Sequence, residues 1–170
     1  MTVYVALLRA VNVGGTGKLP MAVLKAMCVA VGFKNVRTYI ASGNVVFESG
    51  APEKRVKSLL EARLKSYARK PVGVAVRTAR ELKAVLDANP FSEAAPNRTV
   101  AIFLDEAPPK DALDHVVGRR DEELRSGARE IFVHYAGGIG TSKLRIPAAK
   151  SGTARNMNTI AALVKFIATI

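Results

Sequence analysis

The chain has 170 residues, 49% of them hydrophobic, which suffices for one medium domain or two small, tightly joined ones. One cysteine and two histidines exclude an internal disulfide and a zinc framework. Without a membrane-spanning run or a basic leader, the sequence predicts a cytoplasmic protein with no membrane partner, and its net charge of +12 favours phosphate-bearing ligands or nucleic acid.

The first predicted elements are a buried strand over residues 3–9 and a glycine-rich stretch, Asn-Val-Gly-Gly-Thr-Gly-Lys-Leu-Pro, over residues 12–20. Three glycines in four residues let peptide N–H groups approach a ligand closely. The helix that follows adds the positive end of its dipole, and Lys18 adds a charge, so the stretch favours an anion. It also fits a plain strand-to-helix turn, because such turns are often rich in glycine.

Two strict phosphate-binding motifs are excluded at this stretch. A P-loop needs glycine where Asn12 stands and serine or threonine where Leu19 stands. A dinucleotide fingerprint needs a spacing of G-x-G-x-x-G, which Gly14, Gly15 and the glycine after Thr16 do not provide.

The next helix, Met21–Val31, has apolar residues at spacings of three and four and is ended by Gly32. Cys28 lies on its apolar stripe, so we interpret it as a core residue rather than a nucleophile. Two short strands, Val36–Ile40 and Asn44–Glu48, then form a hairpin through Ala-Ser-Gly at 41–43. The polar residues of this hairpin fit plain turn chemistry and also a compact polar cup, and both interpretations stay open.

A long helix over Pro52–Lys70 and a strand over Val72–Arg77 complete a β-α-β-β-α-β order, which is typical of the ferredoxin-like or split βαβ motif. Residues 1–85 hold 15 lysines and arginines against 4 acidic residues, whereas residues 86–170 hold 11 against 10. One face of the helix over Pro52–Lys70 is basic and supplies much of this excess charge. A charged helix face is usually only solvated, but here it is the best candidate for a broad polyanion surface. Its basic residues are Lys54, Arg55, Lys57, Lys65, Arg69 and Lys70.

The second half reads as a similar mixture of helices and strands. The predicted elements are a helix over Thr78–Asn89, a strand over Thr99–Leu104, a helix over Lys110–Arg120, a strand over Glu130–Tyr135 paired with a run near 139–146, and a helix over Asn156–Ile170. The sequence therefore predicts an α+β fold with two ferredoxin-like (split βαβ) halves forming an α/β sandwich. Residues 1–77 form the half with the glycine-rich loop, and residues 78–170 form a second α+β half packed closely on the first.

A second polar stretch is made of Gly-Thr-Ser-Lys at 140–143 and Ala-Arg-Asn-Met-Asn-Thr at 154–159. Asn156, or Thr153 one turn earlier, can cap the last helix. Capping does not account for Arg155 beside amide and hydroxyl groups at a helix start, which together suit a phosphate or carboxylate.

The sequence contains no pattern of residues that indicates a catalytic mechanism. His115 lies in an acidic, exposed region, and His134 alternates with Phe132 along a strand. No Ser/His/Asp order, paired carboxylates or metal spacing occurs. Asp and Glu are scarce near both polar stretches, which argues against magnesium-dependent phosphoryl transfer. Catalytic residues therefore stay unassigned, and no metal or cofactor is predicted.

Several motifs in order resemble a known bacterial family of unknown function, DUF1697. They are ALLRAVNVGG at 6–15, Pro-Met at 20–21, RTYIASGNVVF at 37–47, Ser-Lys-Leu at 142–144 and TARNMNT at 153–159. The resemblance spans nearly the whole chain, and it implies an α+β domain related to ferredoxin-like halves without implying a reaction. The chain departs from the family's usual pattern at Ala10, where glycine is usual, at Ala41, where glutamine is usual, and at Met157, where tryptophan is usual.

These observations favour a protein that binds a phosphate-bearing anionic ligand, either a nucleotide or nucleic acid. A single site requires segments 12–18, 42–44 and 155–158 to converge. Two alternatives stay open: an enzyme that acts on a small anionic metabolite, with Lys18 or Tyr39 in acid–base chemistry, and a structural or partner-binding domain. The candidate ligand-binding residues are Asn12, Gly14, Gly15, Lys18, Tyr39, Ser42, Gly43, Asn44, Ser142, Lys143, Arg155, Asn156 and Asn158.

Overall fold

The computed structural model describes residues 1–9, 18–39 and 43–169. The chain divides into two units, Met1–Leu82 and Lys83–Ile170. Each unit is built on a four-stranded antiparallel sheet, and four α-helices accompany the sheets in the described ranges. The predicted α+β class is therefore confirmed.

The first unit follows the predicted β-α-β-β-α-β order. Its sheet has the strand order β2-β3-β1-β4, which is the order of a ferredoxin-like sheet. All neighbouring strands are antiparallel. The elements are β1 (Thr2–Leu8), α1 (Met21–Ala30), β2 (Lys34–Tyr39), β3 (Asn44–Ser49), α2 (Glu53–Ala68) and β4 (Val74–Thr78).

The core of the first unit lies between its two helices and one face of its sheet. Alternate residues of the strands face the helices, because successive side chains of a strand point to opposite sides. The buried side chains of α2 recur at spacings of four, so one stripe of this helix faces the sheet. Burial raises the pKa of Cys28 to about 12, and the thiol therefore stays protonated in the core, as expected. The core includes Tyr4, Ala6, Leu8, Leu24, Cys28, Phe33, Val45, Phe47, Val56, Leu60 and Leu64.

The second unit repeats the strand order of the first. Its sheet runs β6-β7-β5-β8, so in both units the second, third, first and fourth strands lie side by side. The crossover connections hold short 3₁₀ turns, Ala112–His115 and Pro147–Ala149, where the first unit has α1 and α2. The elements are α3 (Ala79–Asp87, which spans the boundary of the units), β5 (Thr99–Phe103), β6 (Glu122–Ser126), β7 (Glu130–Tyr135), β8 (Thr153–Asn156) and α4 (Met157–Ile167).

Two expectations for the second half were wrong, and two of its strands were not predicted. The helix over Lys110–Arg120 is only the 3₁₀ turn at 112–115. The strand β7 pairs with β5 and β6 rather than with the run at 139–146, from which Arg145 forms an isolated bridge to Val117. The strands β6 and β8 were not predicted, and β8 ends directly before α4, whose N-cap is Asn156. For β6, β7 and β8, pairing between distant segments of the chain decides the structure rather than a local pattern.

Candidate functional site

The described strand ends next to two of the sequence motifs lie at one edge of the first sheet, which we call the upper edge. Here β1 ends, β2 ends, and β3 and β4 begin, because Leu7 and Tyr39 both pair with Asn44 and Leu8 pairs with Val74. The backbone N–H of Leu8 donates to the carbonyl oxygen of Gly43 at 2.8 Å. The strand that precedes the glycine-rich stretch is therefore bonded directly to the residue that closes the 41–43 hairpin.

Part of the predicted site lies outside the described residues. Asn12, Gly14, Gly15 and Ser42 fall in the ranges 10–17 and 40–42. Of the candidates near the upper edge, Lys18, Tyr39, Gly43 and Asn44 are described. Gly43 has a φ of +84°, a conformation that glycine adopts without strain. The backbone of the hairpin therefore favours glycine at position 43, whether or not the residue also binds a ligand.

Asn44 holds the hairpin strands together from inside. Its side chain is fully buried, and its Nδ2 donates to the carbonyl oxygen of Tyr39 at 3.0 Å. The two residues are also cross-strand partners. Asn44 thus has a structural role that sequence analysis left open, while Tyr39 is half-buried at the same edge.

The start of α1 faces the same side of the unit. α1 ends at Ala30, four residues before β2 begins at Lys34, and β2 then runs to the upper edge. Only residues 31–33 connect the two elements, so a helix packed on this sheet runs back from the start of β2, and we infer that it starts towards the upper edge. Lys18 is exposed and lies two residues before Pro20, the N-cap of this helix. The site therefore combines a helix start with a lysine.

At the start of each of the other described helices, a capping or acidic side chain accepts hydrogen bonds or offsets the positive end of the dipole. The start of α1 has no such side chain. Pro20 makes no side-chain cap, and the first turn of α1 contains no acidic residue. By contrast α2 has Glu53 in its first turn, and Glu81 of α3 exchanges hydrogen bonds with Thr78. Peptide N–H groups at such a start attract negative charge, by about 0.3–1 kcal/mol for an exposed charge.

Arg155 lies on β8, directly before Asn156, the N-cap of α4. It pairs with Ala101 of β5, and its Nη1 donates to the carbonyl oxygen of Ala154 at 2.9 Å. The side chain is half-buried, and burial lowers the pKa of Arg155 to about 10. The guanidinium therefore remains charged at neutral pH, one residue before the N-cap of the last helix.

Asn156 caps α4. Its side-chain Oδ1 accepts a hydrogen bond from the backbone N–H of Thr159 at 2.9 Å. Thr153, the other candidate cap, is buried on β8. Asn158 is exposed in the first turn of the helix. Of these two asparagines, only Asn156 caps the helix.

Ser142 holds a buried carboxylate that the sequence analysis missed. Its Oγ donates to Oε2 of Glu122 at 2.7 Å and accepts a hydrogen bond from the N–H of Leu144 at 3.2 Å. Hydrogen bonds from the backbone N–H of Arg120 and then from Ser142 lower the pKa of Glu122 from its ordinary value. The carboxylate therefore stays charged at neutral pH, and the adjacent Lys143 is exposed.

The family of the chain follows from its first 132 residues. They match the model of a family described as "Protein of unknown function (DUF1697)". The chain belongs to this family. The matched range includes the glycine-rich stretch and the hairpin and ends before the motifs at 142–144 and 153–159.

A solved structure has a similar fold. The conserved bacterial protein SP0830 from Streptococcus pneumoniae matches this DUF1697 chain with a TM-score of 0.78 and 24% sequence identity. The alignment covers 96% of this chain and 97% of that one. At this level of identity the likeness concerns the fold alone. No curated protein matches the chain.

The later motifs of this DUF1697 protein do not form one cluster. Ser142 contacts Glu122 on β6, whereas Arg155 is on β8, and these strands are the two edges of the same sheet. Three strand spacings of about 4.8 Å place the edges about 14 Å apart. No described helix is long and apolar enough to cross a membrane. Within the described ranges, no group of three or more His, Cys, Asp or Glu side chains is suited to a metal ion.

Replacing Asn156 by alanine is expected to lower the free energy of unfolding by about 1 kcal/mol, within a range of about 0.5–2 kcal/mol, because the N–H of Thr159 loses its cap. Urea denaturation followed by circular dichroism measures the change. Asn158→Ala is the matched control, since this exposed amide lies two positions along the same helix. Equal losses in the two variants would contradict the capping role.

Proposed function

We propose that this DUF1697 protein binds a phosphate-bearing ligand, a nucleotide or a segment of nucleic acid, at the upper edge of its first unit. The observation that supports the proposal is the hydrogen bond between Leu8, in the strand before the glycine-rich stretch, and Gly43, the residue after the 40–42 segment. Lys18 and the start of α1 supply positive charge at the same side. Asn12, Gly14, Gly15 and Ser42 are the proposed donors in the loops.

The charge of the first unit supports this choice of ligand. Residues 1–82 contain 14 lysines and arginines but only 4 acidic residues. A field of this sign raises the local concentration of phosphates and speeds their association. It also predicts that binding weakens as salt rises, by a larger factor for nucleic acid than for a nucleotide, because more counterions are released.

A thermal-shift screen of nucleotides and short oligonucleotides at two salt concentrations tests the proposal. A nucleotide at ten times its Kd is expected to stabilise the wild type by about 1.4 kcal/mol, which is a rise in Tm of about 3–6 °C for a chain of this size. Lys18→Ala is expected to remove most of this rise. Lys25→Ala removes the same charge from an exposed position of α1 and is expected to leave the rise unchanged.

Two results would count against the proposal. The first is the absence of any shift with every phosphate compound, which favours a structural or partner-binding domain. The second is an equal loss in Lys18→Ala and Lys25→Ala, which reduces the effect to overall charge. Saturable binding of a small anionic metabolite that carries no phosphate would instead favour the enzyme hypothesis.

A further inference from the structure

The exposed side of α2 carries two pairs of basic residues, which we call the basic face of α2. Lys54 and Arg55 lie near the start of the helix, and Lys65 and Arg69 lie near its end, Arg69 being the C-cap. At 100° per residue, the four positions fall within an arc of about 100°. All four are exposed, and none makes an ion pair with any described residue.

Small side chains separate the two pairs. Ser58 and Ala62 are exposed, lie four residues apart between the two pairs and fall within the same arc. The long basic side chains therefore project beyond the middle of the helix. With a rise of 1.5 Å per residue, Lys54 and Lys65 stand about 16 Å apart along the axis. The basic face of α2 therefore has small side chains at its centre and positive charge at both ends. This shape suits a partner with two parallel rows of negative charge and a groove between them.

The opposite side of α2 excludes insertion into a lipid surface. Val56, Leu60 and Leu64 are fully buried in the core of the unit, so the helix has no apolar stripe to offer a bilayer. Binding of single strands usually relies on exposed aromatic rings on which bases stack. Tyr67 is the exposed aromatic of this helix, and it lies outside the arc of the basic face.

We infer that the basic face of α2 docks on double-stranded DNA, with its two basic pairs on the phosphates that border the major groove. This groove is about 12 Å wide and admits an α-helix, whereas the major groove of duplex RNA is too deep and narrow for side-chain contact. The small residues in the middle of the face allow close approach and provide little base readout, so binding is independent of sequence. The inference concerns another surface than the upper edge and does not depend on the function proposed there.

The test compares two variants of the full chain that lose equal charge. The first combines Lys54→Ala, Arg55→Ala, Lys65→Ala and Arg69→Asn, since asparagine tolerates the left-handed backbone at position 69. The control combines Lys25→Ala, Arg80→Ala, Lys110→Ala and Lys165→Ala, which are exposed positions elsewhere. Fluorescence anisotropy measures binding to a labelled duplex of about 20 base pairs between about 50 and 200 mM salt.

The wild type and the control are expected to bind DNA with an affinity that falls steeply as salt rises. The basic-face variant is expected to bind at least about tenfold more weakly, and its log–log salt slope is expected to be smaller by about 3–4. If the fourfold variant fails to fold, the two pairwise variants, at 54/55 and at 65/69, are each expected to give about half of the change in slope.

Three outcomes would overturn the inference: DNA binding by the basic-face variant that equals that of the control, tighter binding of duplex RNA or anionic vesicles than of DNA, and no DNA binding by the wild type at the lowest salt. The nucleotide-induced shift separates this test from the previous one. The basic-face variant is expected to keep that shift, whereas Lys18→Ala is expected to lose it while retaining DNA binding.

Discussion

Replacing Phe47 by alanine is expected to lower the free energy of unfolding by about 3–5 kcal/mol, one of the largest effects of a single substitution in this protein. Phe47 is completely buried in β3. Its ring stacks on that of Phe33 with centroids 4.2 Å apart and planes 4° from parallel, and it lies 6.0 Å from the ring of Tyr4. Alanine leaves a cavity that these neighbours, held on a helix-to-strand connection and on β1, fill only in part.

Urea denaturation measures this loss, and an unchanged m-value would show that the variant unfolds from a similarly compact state. Tyr67→Ala is the control, because this ring is 48% exposed on α2 and its loss is expected to change stability by no more than about 0.5 kcal/mol. A double-mutant cycle of Phe33 and Phe47 is expected to give a coupling of about 0.5–1.5 kcal/mol. A loss below about 1 kcal/mol for Phe47→Ala would show that the core closes around the gap.

Gly118→Ala is expected to destabilise the second unit by about 2–4 kcal/mol. Gly118 has a φ of +74°, which an alanine adopts only with strain. A Cβ at this position would overlap the carbonyl oxygen of Lys143 and stand 3.0 Å from its carbonyl carbon. This backbone cannot shift freely, because the neighbouring Val117 and Arg145 exchange two hydrogen bonds of 2.8 and 2.9 Å.

Gly138→Ala is the control that distinguishes backbone strain at a positive φ from steric overlap of the added Cβ. Gly138 has a φ of +94° in the same unit, but a Cβ there would meet no atom within 4 Å. Its substitution is therefore expected to cost only about 1–2 kcal/mol, the price of the backbone conformation. Thermal and urea denaturation compare the two variants. If they lose equal stability, close packing against Lys143 does not contribute.

The first unit could be predicted from sequence because its elements carry local signals. α1 and α2 show apolar residues at helical spacing, β1 and β3 are runs of β-branched and aromatic residues, and Gly32 ends α1 with a φ of +94°. These signals agree with the tertiary structure, so the strand order followed from the motif. In the second unit the local sequence signals do not agree with the tertiary structure in this way.

The strand β6 was missed because only Leu124 is apolar in Glu-Glu-Leu-Arg-Ser, and the other inward residue is the carboxylate of Glu122. Such a strand is recognised only when its partners, Ser142 and the N–H of Arg120, are known. The false helix over 110–120 arose because Ala112, Leu113 and Val116 have helical spacing. Their burial instead comes from packing beside β6 and the second 3₁₀ turn.

The sequence pattern indicates the polar positions of the candidate site but not which contacts their side chains make. Spacing alone does not show that Asn44 is fully buried or that Ser142 is bonded to a carboxylate, because both facts depend on residues far along the chain or across a turn. The cap formed by Asn156 was predictable, since its partner is three residues away. The hydrogen bond between Leu8 and Gly43 depends on strand pairing and not on a local pattern.

The shared strand order has a consequence for how the protein forms as it is synthesised. In each unit the earliest strand of the sheet, β1 or β5, takes an inner place with neighbours on both sides. Leu8 pairs with Val74, 66 positions later, and Val100 pairs with Asn156, 56 positions later. Contacts over such distances cost loop entropy and slow folding. Until the ribosome has released β4 and then β8, one side of each inner strand stays open to unwanted pairing with other chains.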